Sequence, residues 1–138
     1  MREEVEGFLV ELSEKFAAGD VDGGQADLSL PAAIYFGSDM ILLSDRESVA
    51  AFTEAYHEGL KQQGLHKARL ALGEMTIAEN GTITAMAVAR MLKEDGTPVA
   101  LGRTRYFIRQ VDGTLKVEMA EHGQVPLEAD LIHGSLGA

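Results

Sequence analysis

The sequence contains no cysteine and no tryptophan, and only three prolines. Without cysteine there is no disulfide framework, no thiolate zinc site and no cysteine nucleophile. That absence leads us to expect a cytoplasmic protein. No apolar run approaches the roughly 18–20 residues that a membrane span requires. The start, Met1-Arg2-Glu3-Glu4, offers neither the basic segment nor the apolar stretch of a secretory signal. Positive charge is scarce: twelve Lys and Arg stand against twenty-two Asp and Glu, for a net charge of -10. All of the excess lies in residues 1–60, which hold three basic and thirteen acidic residues, whereas 61–138 hold nine of each. An acidic surface repels phosphate backbones and anionic lipid, so we expect no nucleic-acid and no membrane partner. There is no His-x-x-x-His pair, no calcium-type acidic loop, no phosphate-binding glycine loop and no Gly-x-Ser-x-Gly elbow. We therefore expect no metal and no cofactor.

What is present is enough for one domain. The chain has 138 residues, 46% of them apolar and 25% charged, which is ordinary for a single globular unit. Residues 3–18 predict an amphipathic helix, because Val5, Phe8, Leu9, Leu12 and Phe16 recur at three- and four-residue spacing. Gly19 ends it. Residues 20–30, with Gly23 and Gly24, predict an irregular helical turn. Ala32–Phe36 and Met40–Leu43 read as two short strands around a Gly37-Ser38-Asp39 turn. Ser44-Asp45-Arg46-Glu47 has the form of a capping box. The helix it opens should reach Gln63 and bury Val49, Phe52, Tyr56 and Leu60. From His66 the period changes to two. Residues 66–79, 82–94, 98–111 and 114–122 predict four strands, joined by Asn80-Gly81, Asp95-Gly96 and Asp112-Gly113. Such pairs supply the positive φ of tight hairpins, so the four strands form a meander. Gly73 and Gly102 inside long strands predict bulges or bends, hence strong curvature.

Both faces of the meander are apolar. Met86, Val88 and Leu92 share one parity, and Ile83, Ala85, Ala87, Ala89 and Met91 share the other. Helices can cover only one face, so a second copy of the chain is expected on the other, giving a homodimer through the sheet.

The order of elements resembles the nuclear transport factor 2-like superfamily, over roughly residues 3–122. Phe16-Ala17-Ala18-Gly19-Asp20 is similar to its A-x-G-D helix end, and Arg105–Gly113 resembles its last hairpin. Glu121-His122-Gly123-Gln124-Val125-Pro126 is similar to the E-H-W-D-x-x-Q-x-x-P ending of SnoaL-like members, with glycine in place of the Trp. The resemblance implies an α+β domain over 1–122, in which N-terminal helices pack into a strongly curved antiparallel sheet. The result is a cone with a pocket, followed by a tail at 123–138 with a short ordered stretch at Leu127–Ile132. It implies a pocket but no particular reaction, because this fold hosts isomerases, dehydratases, cyclases and non-catalytic assembly domains.

Ketosteroid isomerase chemistry requires an Asp base, a Tyr and a protonated Asp. Placed on the family pattern, those positions fall at Phe36, Leu12 and Thr104 or Arg105, so none of the three residue types is present. A slip of a residue or two brings Tyr35 or Asp39 to the base position. The candidate catalytic residues are therefore Asp39 and His122. Candidate pocket residues are Tyr35, Phe36, Phe52, Tyr56, Tyr106 and Met119, together with Arg90, Arg103 and Arg105. An arginine on an apolar sheet face keeps its charge and needs a carboxylate or an anionic ligand. The expected function is binding of a small, partly apolar molecule, with an organic acid as one candidate. The alternatives are a SnoaL-like isomerase, cyclase or dehydratase, and a non-catalytic dimeric assembly domain.

Overall fold

The computed structural model describes residues 1–125, apart from the side chains of residues 66, 67, 100, 124 and 125. Helix α1 spans Arg2–Ala17 and turns Val5, Leu9 and Leu12 inward. A short helix, α2 (Val21–Ala26), follows, capped by the Asp20 side chain, which accepts from the Gly23 N–H at 2.9 Å. The irregular turn expected over 20–30 is thus a true helical turn, running directly into strand β1 (Leu28–Phe36). β2 (Asp39–Leu43) folds back on β1, and α3 covers Arg46–Gln62. The cap of α3 sits one residue later than the sequence pattern suggests. Asp45 accepts from the Ser48 N–H at 2.8 Å, and the Ser48 hydroxyl receives the Asp45 N–H at 3.1 Å. Asp places a fixed negative charge at the helix N-terminus, which a serine hydroxyl does not supply.

Four long strands complete the chain: β3 (Leu65–Ile77), β4 (Ile83–Lys93), β5 (Pro98–Val111) and β6 (Thr114–Val125). The six-stranded sheet has the order β2-β1-β6-β5-β4-β3. The four-strand meander is as expected, with positive φ at Gly81, Gly96 and Gly113 in its turns. One pairing differs from an all-antiparallel sheet, because β1 runs parallel to β6. A hairpin can join only antiparallel neighbours. The helix α3 and the whole meander separate β1 from β6, so the parallel arrangement is open to them. Their ladder is irregular between Leu28 and Ala33, where Pro31 has no N–H to donate.

Curvature comes from breaks in register. One lies between Leu72 and Met75, beside Gly73, where a Cβ would stand 3.2 Å from the Met86 carbonyl oxygen. α1 grips β3 beside that break: the Leu72 N–H donates to Glu6 at 2.9 Å, and Arg2 donates to the Leu72 carbonyl at 2.9 Å. Gly102 carries no bulge; β5 is broken near its start, and opposite Phe107/Ile108 the extra residue lies in β6, between Val117 and Met119. The core lies on the concave side. Val5, Leu9 and Leu12 of α1 meet Ile83, Ala85 and Ala87 of β4, Ile108 of β5, and Val117 and Ala120 of β6. The tail assigned to 123–138 lies outside the described residues from 126 onward, Leu127–Ile132 included, while 123–125 continue β6.

Candidate functional site

The concave side of the sheet is incompletely filled. A cavity of about 490 Å³ opens between α1, α3 and the bent strands, bounded by Leu70, Ala89, Met91, Gly102 and Gly123 on the sheet side. Ligand sites typically fall in the range of about 300–1,000 Å³. Its aromatic lining comes from Phe36 at the end of β1, Tyr56 of α3 and Tyr106 of β5. A small inner extension of about 50 Å³ shares Tyr56, Tyr106 and His122 with it and adds Phe16 of α1 and Phe52 of α3. Phe16 meets Phe52 edge-on at 5.6 Å, and Phe52 lies 6.4 Å from both Phe36 and Tyr56. His57 anchors this corner by donating from Nδ1 to the Ala17 carbonyl at 2.6 Å, which ties α3 to the end of α1.

One end of the cavity is polar. Thr104 of β5 and His122 of β6 are cross-strand partners, and Thr104 Oγ1 lies 2.7 Å from His122 Nδ1. Tyr106 lies two residues along the same face of β5 and borders the cavity with them. The parallel pairing of β1 with β6 sets Phe36 beside His122, and the two rings stack at 4.8 Å with 15° between their planes. Burial pushes the His122 imidazole down to about 4, so it is neutral at pH 7. Burial raises the Tyr106 phenol strongly, Tyr56 adds to that, and Thr104 opposes it. Tyr56 is raised by burial too. Both phenols therefore keep their protons at neutral pH. The polar end can donate and accept hydrogen bonds, and among the described residues it holds no ionised side chain. Charged side chains, Glu14 and Arg69, stand in an adjoining groove of about 480 Å³ between α1 and β3. Among the described residues, no group of three or more His, Asp or Glu is placed to hold a metal ion.

No protein-family model matches the chain, and no curated protein matches it. Solved structures do. A domain of unknown function with a cystatin-like fold from Nostoc punctiforme superposes with a TM-score of 0.69 at 14% identity, covering 96% of this chain and 82% of that one. An NTF2-like protein with a cystatin-like fold from Novosphingobium aromaticivorans gives 0.68 at 18% identity, covering 96% and 86%. The chain has the nuclear transport factor 2-like fold. ActVI-ORFA from Streptomyces coelicolor shares it, with a TM-score of 0.64 at 16% identity over 86% of this chain and 92% of that one.

In the nuclear transport factor 2-like cone, the expected site residues divide by sheet face. Phe36, Phe52, Tyr56, Tyr106 and His122 all border the cavity or its inner extension. So do Leu12 and Thr104, which the family pattern matched to ketosteroid isomerase positions. The positions converge, but their chemistry differs. Asp39 is exposed in the β1–β2 hairpin and does not border the cavity. Tyr35 alternates with Ile34 and Phe36, so it faces the convex side, and Met119, paired with Ala33 and Phe107, shares that side. The three arginines also leave the pocket. Arg103 and Arg105 alternate with Thr104 and Tyr106 and are exposed; Arg105 stands 3.8 Å from Glu121, its cross-strand partner. Arg90 is half-buried and alternates with the cavity residues Ala89 and Met91. Of their apolar parity-mates, Met86 and Phe107 do not border the cavity, whereas Leu101 does; the arginines themselves supply no cation to it. Phe16, Ser13, Gly102 and Thr104 were not among the expected pocket residues. Parity could have found two of them, since Gly102 and Thr104 share the face of Tyr106.

Proposed function

We propose that this chain is a small-molecule-binding domain whose ligand seat is the cavity around His122. One observation carries this: an aromatic-walled space of about 490 Å³ ends on the Thr104–His122 pair, hydrogen-bonded at 2.7 Å. A filled core would close over such a pair; an open one offers it to a ligand. Acid–base catalysis is the weaker reading. A base works best with a pKa near the working pH, and an imidazole held at about 4 accepts protons poorly at neutrality. Asp39, the other candidate base, stands outside the cavity.

The same proposal includes a homodimer through the convex face. Two cross-strand rows support it: Tyr35, Glu121, Arg105 and Met86 in one, and Ala33, Met119, Phe107 and Thr84 in the other. Tyr35, Met86, Phe107 and Met119 are all half-buried, too apolar a set for a face built only for water. A cytoplasmic location belongs to this reading. No described helix is long and apolar enough to cross a membrane.

Native mass spectrometry of gently purified protein, beside a denatured sample, tests both parts. The expected result is a dimer carrying added mass that vanishes on denaturation. Ala89→Phe, which fills the cavity with a ring, should stay dimeric and lose that mass. Added mass that survives in Ala89→Phe would place the ligand elsewhere, and a monomer would remove the dimer.

A further inference from the structure

The convex face is not evenly exposed. In β4 it carries Thr84, Met86, Val88 and Arg90, with Leu92 two residues further along. Thr84 and Met86 are half-buried, whereas Val88 is 5% and Leu92 7% exposed. Neither belongs to the core, and α1 packs on the opposite face, against Ile83, Ala85 and Ala87. The cross-strand neighbours of Val88 are Ala71, which is small, and Arg103, which is exposed. Side chains stand away from a sheet, so a valine on a bare face keeps part of its surface in water. This end of the face is covered, and none of the described helices is the cover.

The same end is basic. Arg69 and Arg90 are cross-strand partners, and Arg103 stands opposite Val88. Like charges directly opposite repel, so an anionic neighbour is favoured here. Arg69 and Arg103 are exposed, and neither pairs with a carboxylate among the described residues.

The chain leaves the sheet at this place. Val125 ends β6 and is paired with Leu101, which is paired with Arg90, so one row runs Val125, Leu101, Arg90, Arg69. Pro126 follows, with no N–H for a further ladder bond. Residues 127–132 then offer Leu127, Leu131 and Ile132 as apolar groups and Glu128 and Asp130 as carboxylates, with no basic residue among them. Two strand spacings, about 10 Å, separate Val125 from Arg90, and three extended residues span about as much. We propose that residues 127–132 of the same chain cover the arginine end of the convex face, with their aliphatic side chains over Val88 and Leu92 and their carboxylates among the arginines. The tether favours the chain's own segment over that of a second copy. The cover leaves the rows of Met86 and Phe107 open, so it sets one border of the dimer face. It lies across the sheet from the cavity and does not depend on what the cavity binds.

The chain has no cysteine, so an introduced pair reports on itself alone. In the full chain, Val88→Cys is combined in turn with Leu127→Cys, Leu131→Cys and Ile132→Cys, and intact mass is read after mild oxidation without reductant. At least one pair should close within a single chain, while Ala85→Cys, on the opposite face, should close with none of the three. A link between two chains assigns the cover to a second copy. No link in any pair, or a link to Ala85→Cys, takes the segment off this face. Each of these results overturns the proposal. Thiol labelling of Val88→Cys is an independent reading. Leu131→Asp with Ile132→Asp should raise its rate at least about tenfold, as the loss of two buried aliphatic groups implies. Glu128→Lys with Asp130→Lys should raise it about fivefold at low salt. Labelling of Ala85→Cys should stay slow in both; a rise there as large as at Val88→Cys means that the whole fold has loosened and overturns the cover. An unchanged rate at Val88→Cys overturns the cover in the apolar variant and the role of the carboxylates in the charge variant.

Discussion

At the scale of single residues, His122 governs how the site responds to pH. Its folded-state value of about 4 lies below the ordinary 6.5. Between those values the unfolded chain binds a proton that the folded chain does not. Stability therefore rises with pH in this window, and the contribution of neutral His122 is complete above 6.5 and lost as pH falls toward 4. The loss is at most about 3 kcal/mol, and the partial exposure of the ring reduces it. The lowered carboxylates of Asp45 and Asp95 act in the opposite position: their contributions persist above 3.8 and fade only below it, outside this window. Urea unfolding between about pH 7 and about pH 4.5 should show the slope. An equal slope in His122→Phe would rule the assignment out. The sequence marked His122 only through its place at a strand end. Its neutral state comes from burial in a place where Phe36, eighty-six positions earlier, stacks on it, and no local pattern reveals that.

Among the elements, α3 and α1 make separate predictions. Asp45, not Ser44, caps α3. Asp45→Ala should cost about 1 kcal/mol in chemical unfolding, whereas Ser44→Ala should stay within about 0.5 kcal/mol. Equal costs would return the cap to Ser44. Leu9 of α1 is fully buried in the core, so Leu9→Ala should cost about 2–5 kcal/mol. A cost below about 1 kcal/mol would mean that α1 is not the main cover of the sheet. These elements were readable because their causes are local. The apolar stripe of α1 and the glycine turns of the meander both follow from neighbouring residues. The cap was misplaced by one position because Ser44-x-x-Glu47 and Asp45-x-x-Ser48 overlap, and only the backbone decides which one closes.

For the whole molecule, the two faces of the sheet separate two roles. The concave face surrounds the cavity; the convex face carries Tyr35, Met86, Phe107, Met119 and the Arg105–Glu121 pair. Charge placed among these apolar residues should prevent a second copy from docking. Phe107→Glu and Met119→Glu should both sediment as monomers while keeping the far-ultraviolet spectrum of the parent. Dimers that persist in both variants would move the interface elsewhere, with the exposed edge strand β2, where Met40 and Leu42 are 51% and 52% exposed, as the next surface to test.

By itself the sequence determined the elements, their order, the three hairpin turns and the two-faced character of the sheet. Each follows from hydrophobic period, turn chemistry or composition, which are properties of neighbouring residues. The tertiary structure decided which parity faces inward. The alternation runs unbroken from Ile83 to Met91 in β4 and from Leu101 to Val111 in β5, and α1 packs on the face of Ile83, Ala85, Ala87 and Ile108. That choice sent Arg90, Arg103 and Arg105 to the convex surface and turned Thr104, Tyr106 and His122 to the cavity. The parallel docking of β1 on β6 then brought Phe36 onto the imidazole. A site built from three distant strands and two helices is a long-range outcome, and pattern along the chain carries only its ingredients.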